Sequence, residues 1–258
     1  SFDGLGLEAL FTDQPVGVSL SMRLAGVDRV ISWFGVRDEG YTRRLRSIAK
    51  DAVVAAPVPS DAALTVWQHL LMTLGATSPP ERSPLNVPAG WRREARLVAT
   101  AIGAEGTRAL LVVHPGAGGA WKLWSAENLA RVIGNIARRF PVQLLIHQGP
   151  ADQDAADRLL RALDVPALRL IEPELPVLTG ILSEAAAYLG GDSGVSQLGA
   201  AVGARAVIIY PAATRERWAP WSASAHLLTM SDDRDLIERV TAALSERFGA
   251  AATPRASD

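Results

Sequence analysis

The sequence predicts an α/β protein whose C-terminal half is a doubly wound parallel sheet, and three observations carry that reading. From Leu110 onward, short aliphatic runs alternate with segments of helical periodicity, the pattern of β–α units with helices on both faces of a sheet. The runs are apolar throughout rather than alternately polar, as in strands buried on both faces. A proline-rich passage from Thr77-Ser78-Pro79-Pro80 through Pro84 and Pro88 separates this half from a less regular N-terminal part. Two domains are expected, residues 1–90 and 91–258.

In chain order, Val16–Leu20 and Val30–Trp33 are expected as short strands and Tyr41–Lys50 as a helix. Ala52–Ala55 is a strand closed by Pro57 and Pro59. Asp61 can cap a helix running to about Gly75, with Leu64, Trp67, Leu71 and Leu74 facing inward. Trp91–Ile102 is helical. The regular alternation then gives strands 110–113, 142–146, 168–171, 188–190, 206–210 and 226–229. The helices between and after them are 125–139, 152–163, 175–187, 194–202 and 233–248.

The most informative stretch is Leu110–Trp124. An aliphatic strand runs into His114-Pro115-Gly116-Ala117-Gly118-Gly119, where Pro removes a donor and Gly permits unusual backbone angles. Ser125 can cap the helix that follows, in which Leu129, Val132, Ile133, Ile136, Ala137 and Phe140 repeat at helical spacing. Strand, glycine loop and helix together aim backbone N–H groups and the positive end of the helix dipole at an anion. Lys122 lies inside that loop, between Trp121 and Trp124. The alternative is an ordinary β–α connection whose glycines only make a tight turn. Dinucleotide binding is disfavoured: GAGGAW lacks the third glycine of the fingerprint, and the next strand ends in His147-Gln148 rather than an acid for a ribose.

Three further loops fall at carboxyl ends of strands, where open α/β sheets bind ligands. They are His147–Asp152, Gly190–Gln197 and Tyr210–Trp218. Asp192, Ser193 and Gly194 again precede a helix; they can contact a phosphate or sugar, or simply cap the helix. In the N-terminal half Arg43, Arg46 and Lys50 share a helical face, either solvated or turned to an anionic partner.

Composition narrows the classes. With 258 residues, 48% of them hydrophobic, the chain can bury a large core, and its net charge of −1 provides no overall basic field for nucleic acid. There is no Cys, so disulfides, thiolate metal sites and a Cys nucleophile are excluded. The four His, at 69, 114, 147 and 226, include no close-spaced pair, and no zinc site is expected. No apolar run reaches membrane-spanning length. The start at Ser1, without Met and without a leader pattern, is expected to be the remainder of a longer protein.

HPGAGGAWKLW with Ser125-Ala126-Glu127-Asn128-Leu129-Ala130, then GGDSGVSQLGAAVGA, then ERWAPW, resembles glycosyltransferase family 9, the bacterial heptosyltransferases of the lipopolysaccharide inner core. The resemblance covers about residues 105–250 and extends loosely over 1–100. It implies a GT-B fold of two Rossmann-like domains, with the acceptor on the N-terminal one and the nucleotide sugar on the C-terminal one. It implies that Gly116, Gly118 and Lys122 hold the donor diphosphate, and that Asp192, Ser193 and Gly194 contact donor sugar and diphosphate. Asp152 would meet the ribose, and Gln197 stands where many relatives carry a donor-contacting His. Pro211-Ala212-Ala213 replaces the family's Gly-Pro-Thr, which removes a hydroxyl. The family's opening strand and glycine loop, with an Asp thought to act as base, are absent. The expectation is therefore an incomplete N-terminal domain, with the base in a segment preceding Ser1.

The implied reaction is inverting transfer of a heptose or related sugar from a nucleotide-diphosphate sugar, ADP-heptose by default, to a lipopolysaccharide-core-type acceptor. Lys122 and helix N-termini would stabilise the leaving group without metal, and no cofactor is expected. The expected partners are the nucleotide sugar and an anionic lipid or oligosaccharide acceptor, with Arg43, Arg46 and Lys50 as the acceptor or membrane face. The expected location is the cytoplasm, with peripheral contact to the inner membrane possible and no nucleic acid. Two other readings stay open: a non-catalytic nucleotide-sugar-binding protein, and another sugar-nucleotide enzyme, such as an epimerase, on the same architecture.

Overall fold

The computed structural model describes residues 6–77, 81–231 and 234–251. Ser1-Phe2-Asp3, the centre of the proline-rich passage (78–80) and position 233 of the closing helix lie outside the described residues. The chain divides into two compact units, residues 1–80 and 81–258.

The N-terminal unit comprises a 3-10 turn (Leu7–Phe11), α1 (Val18–Ala25), β1 (Val30–Ser32), α2 (Glu39–Ile48), β2 (Ala52–Val54) and α3 (Val66–Thr73). β1 and β2 pair in parallel, with Val30 opposite Ala52 and Ser32 opposite Val54, and α2 is the crossover between them. Leu10, Leu20, Tyr41 and Leu45 form the small core, and Tyr41 and Ser32 share a buried hydroxyl–hydroxyl hydrogen bond of 2.7 Å.

Three local expectations are corrected here. Val16–Leu20 is no strand: Val18 opens α1, because Leu20 and Leu24, one helical turn apart, both pack on this core. The helix expected from Asp61 starts instead after Thr65. The Thr65 hydroxyl accepts from the Gln68 N–H while the Gln68 side chain accepts from the Thr65 N–H, a capping box that leaves Asp61 to cap only a local turn at Ala63. Of the expected inward face, Leu64, Trp67 and Leu71 are half-buried and Leu74 is exposed. α2 is capped by the Asp38 carboxylate, which accepts from the Tyr41 N–H. It ends at Ile48, with the buried Ala49 turning to extended backbone. Arg43 and Arg46 are exposed on α2, whereas Lys50, also exposed, lies beyond its end and off its face.

The second unit begins with residues 81–90, which the sequence reading assigned to the first domain. The Leu85 N–H donates to the Ala201 carbonyl at 2.8 Å, and Val87 is buried in this unit's core, so the segment straps the C-terminal unit. Then follow α4 (Ala89–Ala101), β3 (Ala109–His114), α5 (Ala126–Arg139), β4 (Val142–Gln148), α6 (Gln153–Ala162), β5 (Ala167–Ile171), α7 (Leu175–Glu184), β6 (Ala187–Gly191), α8 (Gly194–Ala201), β7 (Ala206–Tyr210), α9 (Ala212–Arg215), β8 (His226–Thr229) and α10 (Arg234–Ala251). The strands and longer helices match the sequence reading with ends shifted by a few residues. Only the single-turn α9 was read as loop.

The six strands form one parallel sheet in the order β5-β4-β3-β6-β7-β8. Alternate side chains go to opposite faces. Leu111, Val113, Leu144, Ile146, Leu189 and Ile209 pack in one layer with Val132 and Ile133 of α5 and Val240 and Leu244 of α10. Val112, Leu145, Tyr188, Ile208 and Tyr210 pack in the other with Ala95 of α4 and Ile181 and Leu182 of α7. Each fully buried aliphatic contributes about 1.5–3 kcal/mol. The chain winds outward from β3 to β5, returns to β6 and winds the other way. The carboxyl ends of β3 and β6 are therefore neighbours at the switch point, with His114 opposite Gly190.

Candidate functional site

Two loops meet at this switch point. After β3 the chain passes the glycines and makes a 3-10 turn, Ala120–Lys122. Ser125 then caps α5, its side chain accepting from the Asn128 N–H at 3.2 Å. After β6, Ser193 caps α8 by accepting from the Ser196 N–H, also at 3.2 Å. Lys122 Nζ lies 2.9 Å from Oδ2 of Asp192, whose side chain is only 6% exposed. That oxygen is buried outside hydrogen-bond geometry, so the pair is held by charge alone. Lys122 also sits 5.3 Å from the ring centre of Trp121, which is exposed at the rim of the loop. Two helix N-termini, an ammonium and a carboxylate are thus gathered at one edge.

The Ser193–Ser196 cap is itself anchored. Ser196 Oγ donates to the Gly191 carbonyl at 2.6 Å and lies 2.8 Å from the hydroxyl of Tyr188, whose pKa burial pushes well above its usual value. This chain of buried hydroxyls sets the direction of α8 and of the Ser193-Gly194 backbone.

Asp152 closes the β4 side. Its Oδ2 accepts from the Gly149 N–H at 3.1 Å, and its carboxylate lies where a side chain at Gly116 would have to go. Glycine at 116 is therefore required by close approach between the two loops. A concavity of about 390 Å³ is lined by His114, Gly118, Asp152, Ser193, Gly194 and Leu175 among others. A second, of about 540 Å³, lies along Gly116, Ser125 and again Asp152. The structure thus brings Gly116, Gly118, Asp152, Ser193 and Gly194 to two cavities that share Asp152. Lys122 and Asp192 line neither but pair beside them. Arg43, Arg46 and Lys50 belong to the other unit.

Gln197 points elsewhere. Its amide nitrogen donates to the Trp218 carbonyl at 2.7 Å and to the Tyr210 hydroxyl at 3.1 Å, and that hydroxyl donates to the same carbonyl. The amide therefore latches the loop after β7. Burial pushes the Tyr210 pKa above its usual value. Pro211, the first residue of the substituted Pro211-Ala212-Ala213, caps α9 with its backbone alone.

The sequence reading missed a pair of histidines. His114 and His147 lie at the ends of adjacent strands, and the register of Val113 with Ile146 sets them side by side, Nδ1 to Nδ1 at 3.0 Å. One neutral ring donates its Nδ1–H to the other. His114 Nε2 lies 3.9 Å from Asp152 Oδ2. Burial, and then the neighbouring His114, push His147 down to about 4; burial likewise lowers His114, against the pull of the Asp152 carboxylate. The only sequence signal was a His at the same offset from two consecutive aliphatic runs. Among the described residues no group of three or more His, Cys, Asp or Glu could hold a metal ion.

The pair has a consequence for stability. Both rings are neutral in the folded protein at pH 7, whereas in the unfolded chain they take up protons near 6.5. Between pH 6.5 and about 4 the unfolded state binds more protons, so stability falls as the pH falls. His147 alone is expected to contribute a loss on the order of 3 kcal/mol across that window. Urea unfolding at pH 7.5, 6 and 4.5 checks this. His147→Asn, which cannot titrate, should lose less stability on acidification than the parent, and equal losses in the two proteins would refute the assignment.

A search of the curated proteins finds no match. Among solved structures the chain is similar to a glycosyl transferase family 9 protein from Veillonella parvula, with 17% identity over 81% of this chain and 65% of that one, TM-score 0.64. It is similar to E. coli ADP-heptose LPS heptosyltransferase II, with 17% identity over 91% of this chain and 81% of that one, TM-score 0.70. It is similar as well to E. coli heptosyltransferase WaaC with ADP, with 15% identity over 89% and 76%, TM-score 0.61. These identities show a shared α/β, GT-B-like fold. The chain spans 65% of the length of the Veillonella protein. The family model for glycosyltransferase family 9 (heptosyltransferase) matches residues 38–243, most of the sequence, and the chain belongs to that family.

Proposed function

We propose that the chain serves an inverting, metal-independent glycosyltransferase that moves a heptose or related sugar from a nucleotide-diphosphate sugar, ADP-heptose in the first instance, to a lipopolysaccharide-core-type acceptor. The observation that carries this reading is the Lys122–Asp192 pair across the switch point, set between the N-termini of α5 and α8. Family membership supports it, as does the likeness to a heptosyltransferase solved with ADP.

In this reaction the acceptor hydroxyl loses its proton to a base and its oxygen attacks the anomeric carbon. The bond from that carbon to the diphosphate breaks, and its electron pair leaves on the diphosphate oxygen. Lys122 meets that growing charge, the backbone of Gly116 and Gly118 approaches the phosphates, and the α5 and α8 N-termini add to the positive field. Asp192 accepts from donor hydroxyls, and Asp152, shared by both cavities, meets the ribose. No residue of this chain is assigned as base. Incubating the protein with ADP-heptose and a truncated inner-core acceptor tests the proposal by formation of glycosylated product. Binding of donor without transfer or donor turnover would instead support a non-catalytic binder. One observation favours that second reading: the Gln197 amide nitrogen donates to Trp218 and Tyr210 rather than into the cavity. Turnover of donor alone, without acceptor, would indicate epimerase-like chemistry.

On the acceptor side, Arg43 and Arg46 of α2, with Lys50 just beyond the helix end, are proposed to meet an anionic lipid. Among the described residues no helix is long and apolar enough to cross a membrane, so any contact of these elements would be peripheral. Each exposed basic residue near an anionic bilayer is worth about 1 kcal/mol at low salt. Changing all three to Glu should weaken binding to anionic liposomes, with a loss that shrinks as salt rises and with donor affinity unmoved. Vesicle co-sedimentation at two salt concentrations measures it. Unchanged binding at low salt would leave these charges as a solvated face.

A further inference from the structure

A groove of about 630 Å³ lies away from the glycine loops, between α5 and α6. Arg131 and Arg138 of α5 and Arg158 and Arg161 of α6 line it, with Glu127 and Asp164 as its carboxylates among the described residues. Among the described residues Arg131, Arg158 and Arg161 make no ion pair and no side-chain hydrogen bond, and Arg138 bonds only the neutral amide of Asn135. Of the two acids on α6, Asp157 is committed to Arg169 at 2.7 Å, and Asp154, one turn before Arg158, lines the neighbouring cavity rather than this one. Four guanidiniums thus converge on one concavity with their charge half compensated. The groove therefore carries an excess of positive charge that a bound anion would offset.

The floor of the groove adds a second observation. Gly134 lies in the middle of α5, where glycine is less favourable than alanine. A methyl group there would press on the Arg138 guanidinium at 3.3 Å and the Asp164 carboxylate at 3.4 Å. Its absence leaves the groove open between the two helices.

We infer that this groove is a binding site for a compact, multiply charged phosphate compound, of the oligophosphate class, separate from the nucleotide-sugar site. Guanidinium forks match phosphate oxygens two at a time. From Arg131 to Arg138 the charges extend about 10 Å along α5, more than one phosphate group can span. The concave shape suits a small polyanion rather than a flat bilayer. Glu127 and Arg158 also line the cavity beside Ser125, so the bound anion would sit on the flank of the donor site.

The test is calorimetric titration with inorganic tripolyphosphate at low and at moderate salt. Three variants accompany the parent: Arg131→Gln with Arg161→Gln, Arg131→Lys with Arg161→Lys, and Lys122→Ala. The four groove arginines are exposed, and an unchanged thermal midpoint will show that the groove variants fold. The expected result is that the Gln pair lowers affinity at least tenfold, the Lys pair retains part of it, and Lys122→Ala changes it little. Three outcomes would overturn the inference. One is no binding at low salt; another is loss of binding in Lys122→Ala with full retention in the Gln pair. The third is groove-dependent binding to vesicles of one part phosphatidylglycerol to three parts phosphatidylcholine but not to tripolyphosphate, which would make the groove a membrane face.

Discussion

Lys122→Ala is expected to lower affinity for ADP and ADP-sugars roughly 10- to 100-fold while leaving adenosine binding nearly unchanged. In the proposed site only the diphosphate would meet the ammonium, while the ribose is assigned to Asp152. The same substitution strands Asp192, whose Oδ2 is buried and whose only charge partner within 4 Å among the described residues is Lys122. Removing one member of a buried pair typically costs about 3–5 kcal/mol. With Lys122 one-fifth exposed the lower end applies, and the thermal midpoint should fall. The double variant Lys122→Ala with Asp192→Asn should recover much of that stability without recovering ADP affinity. This separation distinguishes a binding role from a structural one. Equal losses for ADP and adenosine would count against the diphosphate assignment.

Gly194→Val is expected to abolish transfer and leave the fold intact. Nothing in the protein lies within 4 Å of a Cβ at this position, and the residue lines the 390 Å³ concavity beside Ser193. Valine there projects into ligand space rather than into protein. Within a helix it is no worse than glycine, so stability should change by less than about 1 kcal/mol. Turnover with ADP-heptose should drop at least about 100-fold, since the backbone can no longer approach the diphosphate. Asp192→Asn makes the companion test, because it keeps the shape and removes the charge. Loss of transfer is expected, with a smaller fall in thermal midpoint than for Lys122→Ala, because Lys122 is one-fifth exposed and can turn its ammonium to water. Near-normal turnover with unchanged donor KM would reduce Asp192 to an anchor for the loop.

What the sequence by itself determined is whatever depends on neighbours in the chain. The strand–loop–helix unit at 109–139 was legible because aliphatic runs, Pro and Gly breaks and the Ser125 cap act over a few residues. The same holds for Ser193 ahead of α8 and for the β–α alternation that implies a parallel sheet. Local reading also failed locally where two signals competed. At 61–68 the acidic cap at Asp61 masked the Thr65–Gln68 capping box that starts the helix, and at 16–20 a short alternation concealed the helical pair Leu20 and Leu24. Only the tertiary structure decided which distant groups meet. His114 and His147 touch because parallel register aligns strand ends 33 residues apart. Lys122 reaches Asp192 because the winding reverses between β3 and β6, which makes their loops neighbours. Gln197 turns from a ligand-facing position to a latch because Trp218 offers its carbonyl at 2.7 Å. Residues 81–90 join the second unit through one backbone bond to Ala201 and a buried Val87, neither of which leaves a periodic trace. Periodicity records which face of an element is buried; it does not record which residue of another element lies opposite, and the chemistry of this site depends on that pairing.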